Sequence, residues 1–555
     1  MPYDRNPDEI HPMTLFLPNP DTLAVVPVVF NAGAAVLPAL LGALASVVTL
    51  LFKPKELFAA CKRRPLVPLA VILVGTAIFF WVRHTPAAAA PGRLDRETAS
   101  SGSGHDWAAV AMEIIRQESR AKALGGTNVE AVEETGVASK EGAAIQFRGG
   151  FERSGYLGGS SPVGLVPLWE YSEDGAMFFS SVLVHGGKVY GASAFLDPSG
   201  SFGTVFCLDA ETGEEIWVTD TGGPNSDEDL MGFFSSPSIT ADGKNLLIGQ
   251  GLHPDFGASL LCLDTATGRI NWAVKTPLHV ESSPAIEGDI VVVGAGAVEK
   301  GADHKPQGDP KGEGHPGYVF GVRISDGKEL WQHQVNDPES SPVIRDGIAY
   351  IGSGINGSAV VAIRIAPDEE LGGKPRELWR TATPFPASGP TTIAGDLVLI
   401  GCGAGDFVFA AENPEGMVIA MDQATGEIRW EAKMPSTILG AIAVRDGIAI
   451  CPVRSGEVIA LDLNAEGKEL WRARVHKESP VMAGPVFTGS HVYAVSSNGY
   501  LAVIDGKNGK VLESVYINDP GKPGELGLSI SSPMVVGGRL YVGSETGGVR
   551  CYVGK

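Results

Sequence analysis

LDAETGEEIW, residues 208–217, reads as the end of one strand, a tight turn and the start of another, and it recurs. Val205 to Leu208 form an apolar run into Asp209, Thr212-Gly213 supplies the turn, and Glu215-Ile216-Trp217 opens the next strand. The phrase returns as LDTATGRINW (263–272), VRISDGKELW (322–331), MDQATGEIRW (421–430) and LDLNAEGKELW (461–471). Degenerate copies stand at RELW (376–379) and IDGKNGKVLE (504–513). Repetition at about 40 to 60 residues means supersecondary units, none able to bury its apolar face alone.

A second signal precedes each phrase: a small-residue opener, an apolar strand, a Gly or Asp-Gly, and another apolar strand. The openers read FSSV (179–182), FSSP (234–237), ESSP (281–284 and 339–342), ASGP (387–390), LGAI (439–442), AGPV (483–486) and ISSP (530–533). Each unit therefore holds four short strands, and eight such units predict an all-β, eight-bladed β-propeller with the openers on the innermost strands. Strands this short leave little room for the helices of a solenoid. The unit at 530–552 lacks a Trp strand, whereas Leu165 to Tyr171 is a Trp strand without a unit. Pairing the two would complete the last blade from both chain ends and leave no open edge.

The ring accounts for residues 165–555 of 555. A formal charge of −21 argues against nucleic acid and favours solubility. Six scattered cysteines make no disulfide framework, and Cys207, Cys262 and Cys551, at equivalent third-strand positions, read as small buried hydrophobes.

The front of the chain differs. Residues 23–52 and 66–82 are apolar enough to predict two transmembrane helices. The basic loop 53–65 lies between them, and an acidic tail (1–22) precedes them. The positive-inside rule puts that loop in the cytoplasm and the propeller on the periplasmic or extracytoplasmic side of the inner (cytoplasmic) membrane. A competing reading takes Lys62 to Val82 as a signal peptide cleaved within 87–90. Residues 83–164 read as a linker, with a helix near 106–124.

The repeated Trp169, Trp217, Trp272, Trp331, Trp379, Trp430 and Trp471 are expected to pack between blades, each indole N–H on a backbone carbonyl. Functional residues should instead break the repeat. Where other openers begin with Phe179, Phe234, Ala387 or Ile530, two adjacent blades begin with Glu281 and Glu339. Facing the channel mouth, these carboxylates would attract a cation or raise one another's pKa; facing open water they would do neither. His279 lies close to Glu281 in sequence. The insertion 299–317 carries Asp303, His304, Asp309, Glu313 and His315 and reads as a polar loop rather than a metal site, and 221–231 is a second, acidic insertion. No nucleophile elbow, P-loop or zinc-protease motif stands in the right context.

The phrase Asp-x-x-Thr-Gly-x-x-x-Trp repeated about a ring resembles the PQQ-like propeller repeat family over 165–555, roughly 70% of the chain. The resemblance implies one of two activities. Quinoprotein dehydrogenases of this family hold pyrroloquinoline quinone (PQQ) and Ca²⁺ on the propeller axis, and Glu281 and Glu339 would be the residues here to hold such a cofactor. Scaffold propellers such as BamB hold other proteins on their loops and edges. This sequence has neither the vicinal Cys pair nor the Asn-Pro-x-Pro-Trp segment of the dehydrogenase branch, and it is closest in character to the scaffolds. The expected function is a membrane-anchored, extracytoplasmic protein-binding or assembly scaffold with envelope or membrane proteins as partners. The alternative is a PQQ-dependent dehydrogenase.

Overall fold

A computed structural model describes residues 145–555, apart from 157, 198–199, 220–229, 253–256, 297–315, 356, 408–409, 523 and 525. The two apolar stretches, the helix near 106–124 and the loop with His304 and His315 lie outside the described residues, as does nearly all of the acidic insertion. Among the described residues no helix is long and apolar enough to cross a membrane.

Eight four-stranded antiparallel sheets form the propeller. Blade one shows the pattern: Leu183–His185 innermost, then Lys188–Ala192, Val205–Asp209 and the outer Glu215–Thr219. Its two middle strands are buried almost throughout while the outer strand is half exposed, because neighbouring blades cover both faces of the middle strands. Such strands carry continuous apolar runs instead of alternation. The core is accordingly a series of clusters between successive blades. Leu183, Cys207, Ile248 and Leu261 join blades one and two, and Leu399, Val418, Cys451 and Ile459 join blades five and six.

The ring closes as the two incomplete ends of the repeat require. Val166–Tyr171 pairs antiparallel with Val549–Val553, Trp169 opposite Cys551, in the sheet that also holds Arg539–Gly543 and Met534–Val536. Arg550 Nε donates to Glu170 Oε2 at 2.8 Å across that seam.

Between third and fourth strands every blade slips register by one residue near the Trp position, a β-bulge repeated eight times. The Asp of each phrase ties the turn. Asp209 Oδ1 accepts from the Glu211 and Thr212 N–H groups, both at 2.9 Å, and Gly213 turns the chain at φ +74°. Blade four departs from the rest in its longer outer strands, Ala359–Asp368 and Lys374–Ala382, joined through a 3₁₀ turn at Glu369–Leu371 like the one at Leu463–Ala465 in blade six.

Two expectations need correction. The opener is not itself a strand; each innermost strand begins just past it, because the opener's N–H groups bond around the ring rather than within a sheet. Residues 145–156 and 158–164, read as part of a linker, are packed on the ring, and 145–156 run across its axis: Ile145 pairs with Ile239 of blade two, and Phe487 N–H of blade seven donates to Gly155 O at 2.8 Å.

Candidate functional site at the ring axis

The Ser-Ser openers meet at the axis, where small side chains are required because eight inner strands converge. The second serine of each passes a hydrogen bond to the next blade. Ser181 N–H donates to Ser236 Oγ (3.0 Å), Ser236 N–H to Ser283 Oγ (3.0 Å) and Ser283 N–H to Ser341 Oγ (2.9 Å). The chain resumes with Gly484 N–H on Ser532 Oγ (3.0 Å) and Ser532 N–H on Ser181 Oγ (2.8 Å). A hydroxyl here satisfies a buried backbone donor that belongs to no sheet.

The first opener residues line a small axial cavity of about 70 Å³. Glu281 and Glu339 both line it, so two carboxylates from adjacent blades share one space. Phe179, Phe234, Leu439, Met482 and Ile530 make the opposite wall. Blade five contributes Ser388, not Ala387, and blade seven Met482, not Ala483: counting back from their innermost strands, Thr392–Ala394 and Val486–Thr488, shifts both openers by one residue. Ala387 is fully buried and packs in the cluster between blades four and five.

His279 is fully buried, and its Nε2 lies 2.9 Å from Glu339 Oε1, not on the Glu281 beside it in sequence. Gly296 makes room for the ring, since a Cβ there would come 2.1 Å from His279 Nε2. Phe407, from a blade-five loop, caps the cavity on the opener side and meets Phe234 edge-on at 5.3 Å between centroids. Arg454 Nε anchors that loop on Asp406 O at 2.8 Å, and burial pulls the Arg454 pKa down. From the other side Phe147 closes the cavity. Sequence reasoning missed both phenylalanines, which lie outside the repeat.

The quinone and Ca²⁺ implied by the resemblance do not fit this space. Cofactor sites run to several hundred Å³, whereas this cavity has about 70 Å³. Among the described residues no group of three or more His, Cys, Asp or Glu could hold a metal.

The seven tryptophans lie far from this chemistry, at the blade seams. Trp169 Nε1 donates to Ala210 O (3.2 Å), Trp217 to Thr265 O (3.0 Å), Trp272 to Ile324 O (2.8 Å) and Trp331 to Ile365 O (2.7 Å). Trp379 donates to Gln423 O (3.0 Å) and Trp471 to Gly506 O (3.1 Å), while the Trp430 ring faces Gly467. Each indole thus docks on the following blade, at its turn in every case but Trp331, whose acceptor Ile365 lies within the long strand of blade four. Cys207, Cys262 and Cys551 are free, buried thiols, and burial raises them to about 11, 12 and 12.

The sequence profile of the family described as outer membrane protein assembly factor BamB matches residues 167–401 and 375–554. The BamB of Yersinia pestis is 22% identical over 362 residues, spanning 63% of this chain and 80% of that protein. The tetrathionate hydrolase of Acidithiobacillus ferrooxidans is also 22% identical, over 61% of this chain and 66% of that protein. Among solved structures, BamB from Moraxella catarrhalis superposes with a TM-score of 0.50 at 18% identity, covering 71% of this chain and 98% of that one. The quinohemoprotein alcohol dehydrogenase of Comamonas testosteroni gives 0.52 at 15% identity, covering 75% and 82%. At such identities the superpositions establish the shared fold and no activity.

Proposed function

Because this chain belongs to the family described as outer membrane protein assembly factor BamB, we propose that it is a protein-binding or assembly scaffold of the cell envelope. The axis carries this reading. Phe407 above and Phe147 below leave about 70 Å³ between them, so the ring works through its outer surfaces rather than through a cofactor at its centre. A short hairpin carrying Leu196 and loops carrying Ile355 and Leu526 present these side chains, each about half exposed, on the opener side of a rigid frame. Affinity on such a face comes from a few apolar anchors rather than from total area.

The apolar stretches 23–52 and 66–82 would tether the ring to the inner membrane, with the propeller on the periplasmic or extracytoplasmic side and envelope or membrane proteins as partners. The test is site-specific photo-crosslinking from Leu196, Ile355 and Leu526 in membranes. Reproducible adducts with envelope proteins at these positions, and none from the blade turns on the opposite face, are expected. An absence of adducts would sink the scaffold reading. Incubation with PQQ and Ca²⁺ addresses the dehydrogenase alternative: no quinone absorbance is expected to survive desalting, and a retained band would overturn the scaffold reading.

A further inference from the structure

Inner strands of two or three residues leave a problem at the axis, because the second residue of each points an N–H inward with no strand beyond it. In five blades residues 145–156 supply the acceptor. Ile239 N–H donates to Ile145 O (2.7 Å), Ile393 N–H to Glu152 O (3.1 Å), Val444 N–H to Ser154 O (2.7 Å) and Phe487 N–H to Gly155 O (2.8 Å). In blade three the Gln146 amide stands in for a backbone, accepting from Ile286 N–H (3.0 Å) and donating to Ile286 O (2.9 Å). These five donors are equivalent positions of the repeat, so the turning segment follows the ring's internal symmetry from blade to blade.

Two arginines fix its register. Arg153 Nη2 donates to Ser283 O (2.9 Å) and Pro284 O (2.6 Å), and Arg148 Nη2 to Pro485 O (2.7 Å). The Arg148 guanidinium sits in a slot between two glycines: a Cβ at Gly155 would lie 1.9 Å from Nη2, and one at Gly484 2.1 Å from Nη1. Both arginines are buried, and among the described residues neither has a carboxylate partner and Arg148 Nη1 and Arg153 Nε and Nη1 have no hydrogen-bond partner. Burying donors without acceptors opposes binding. The segment is therefore held by backbone pairing and by the guanidinium bonds to Ser283, Pro284 and Pro485, and the unmatched guanidinium N–H groups keep that hold below its maximum, as suits an occupant that can be exchanged.

We propose that the floor of the propeller axis is a peptide-binding site for a twice-turned segment carrying two arginines five residues apart, filled in cis by residues 145–156. The test keeps the full chain. A protease recognition sequence inserted at Gly158-Gly159 is cleaved in mild detergent, and gel filtration follows the amino-terminal fragment. The fragment is expected to co-elute with the ring and to be displaced by excess synthetic peptide 144–158, and Arg148→Ala should speed its release at least tenfold. Separation from a still-folded ring, collapse of the ring on cleavage, or no displacement at saturating peptide would each overturn the proposal. In the uncleaved chain, Gly484→Ala should raise amide exchange at least tenfold together at Ile286, Ile393 and Val444. A rise confined to the neighbourhood of residue 484 would count against it.

Discussion

The contact that repeats most faithfully is a tryptophan ring against a glycine. A Cβ at Gly268 would come 2.5 Å from Trp217, and one at Gly426 2.5 Å from Trp379, and both glycines have positive φ. Gly268→Ala therefore combines a left-handed backbone with a clash and should cost about 3 kcal/mol in urea unfolding, whereas Gly288→Ala, with φ +61° but open space around it, should cost about 1. The turn aspartates set the acid limb of stability. The Arg429 guanidinium and the turn N–H groups hold Asp422 at about 2 against an ordinary 3.8, and the Thr267 hydroxyl lowers Asp264. A carboxylate with a depressed folded-state pKa stabilises fully above its unfolded value and loses that contribution as pH falls through the folded one. Denaturant midpoints should drop between about pH 4 and pH 2, and Asp422→Asn should flatten that slope. The described cysteines, all buried with raised pKa, should resist a thiol reagent at pH 8 until the protein is unfolded.

At the level of strands and turns, the sequence disclosed what repeats. Asp209 to Trp217 announces strand, turn and strand because each residue type answers a local demand, and the lone Trp169 strand announces its own missing partner. Elements outside the repeat stayed hidden. Glu152 finds Ile393 and Gly155 finds Phe487 across hundreds of residues, so Gln146 to Gly155, rich in glycine and charge, looked like a linker. The opener register slipped in blade five because Pro390 stands two residues before its strand rather than one, and in blade seven because AGPV starts one residue late although Pro485 directly precedes its strand as in other blades. His279 and Glu339 meet from 60 positions apart, a pairing no local pattern reveals. The outer strands are open edges, and the repeated bulge interrupts each of them, which discourages pairing with another molecule. Removing residues 545–555 would strip Val166–Tyr171 of its partner. The truncated chain should aggregate on size exclusion and lose its sharp thermal transition.

The propeller is a stack of seams without a single centre, and the chain's charge of −21 acts on all of them. Self-repulsion at that charge is screened within roughly 10 Å at 0.1 M salt. The melting temperature should therefore climb by several degrees from 10 to 150 mM NaCl; a flat response would mean that local ion pairs already offset the repulsion. The sheet built from both ends of the ring carries a temporal consequence. Tyr171 is translated 378 residues ahead of its partner Val549, and a ribosome adding about 5–20 residues per second needs on the order of 20–80 s to cover that distance. Throughout that wait the first strand is a sticky, unmatched ribbon, so whatever shields nascent chains has its longest duty at the very first Trp of the circle.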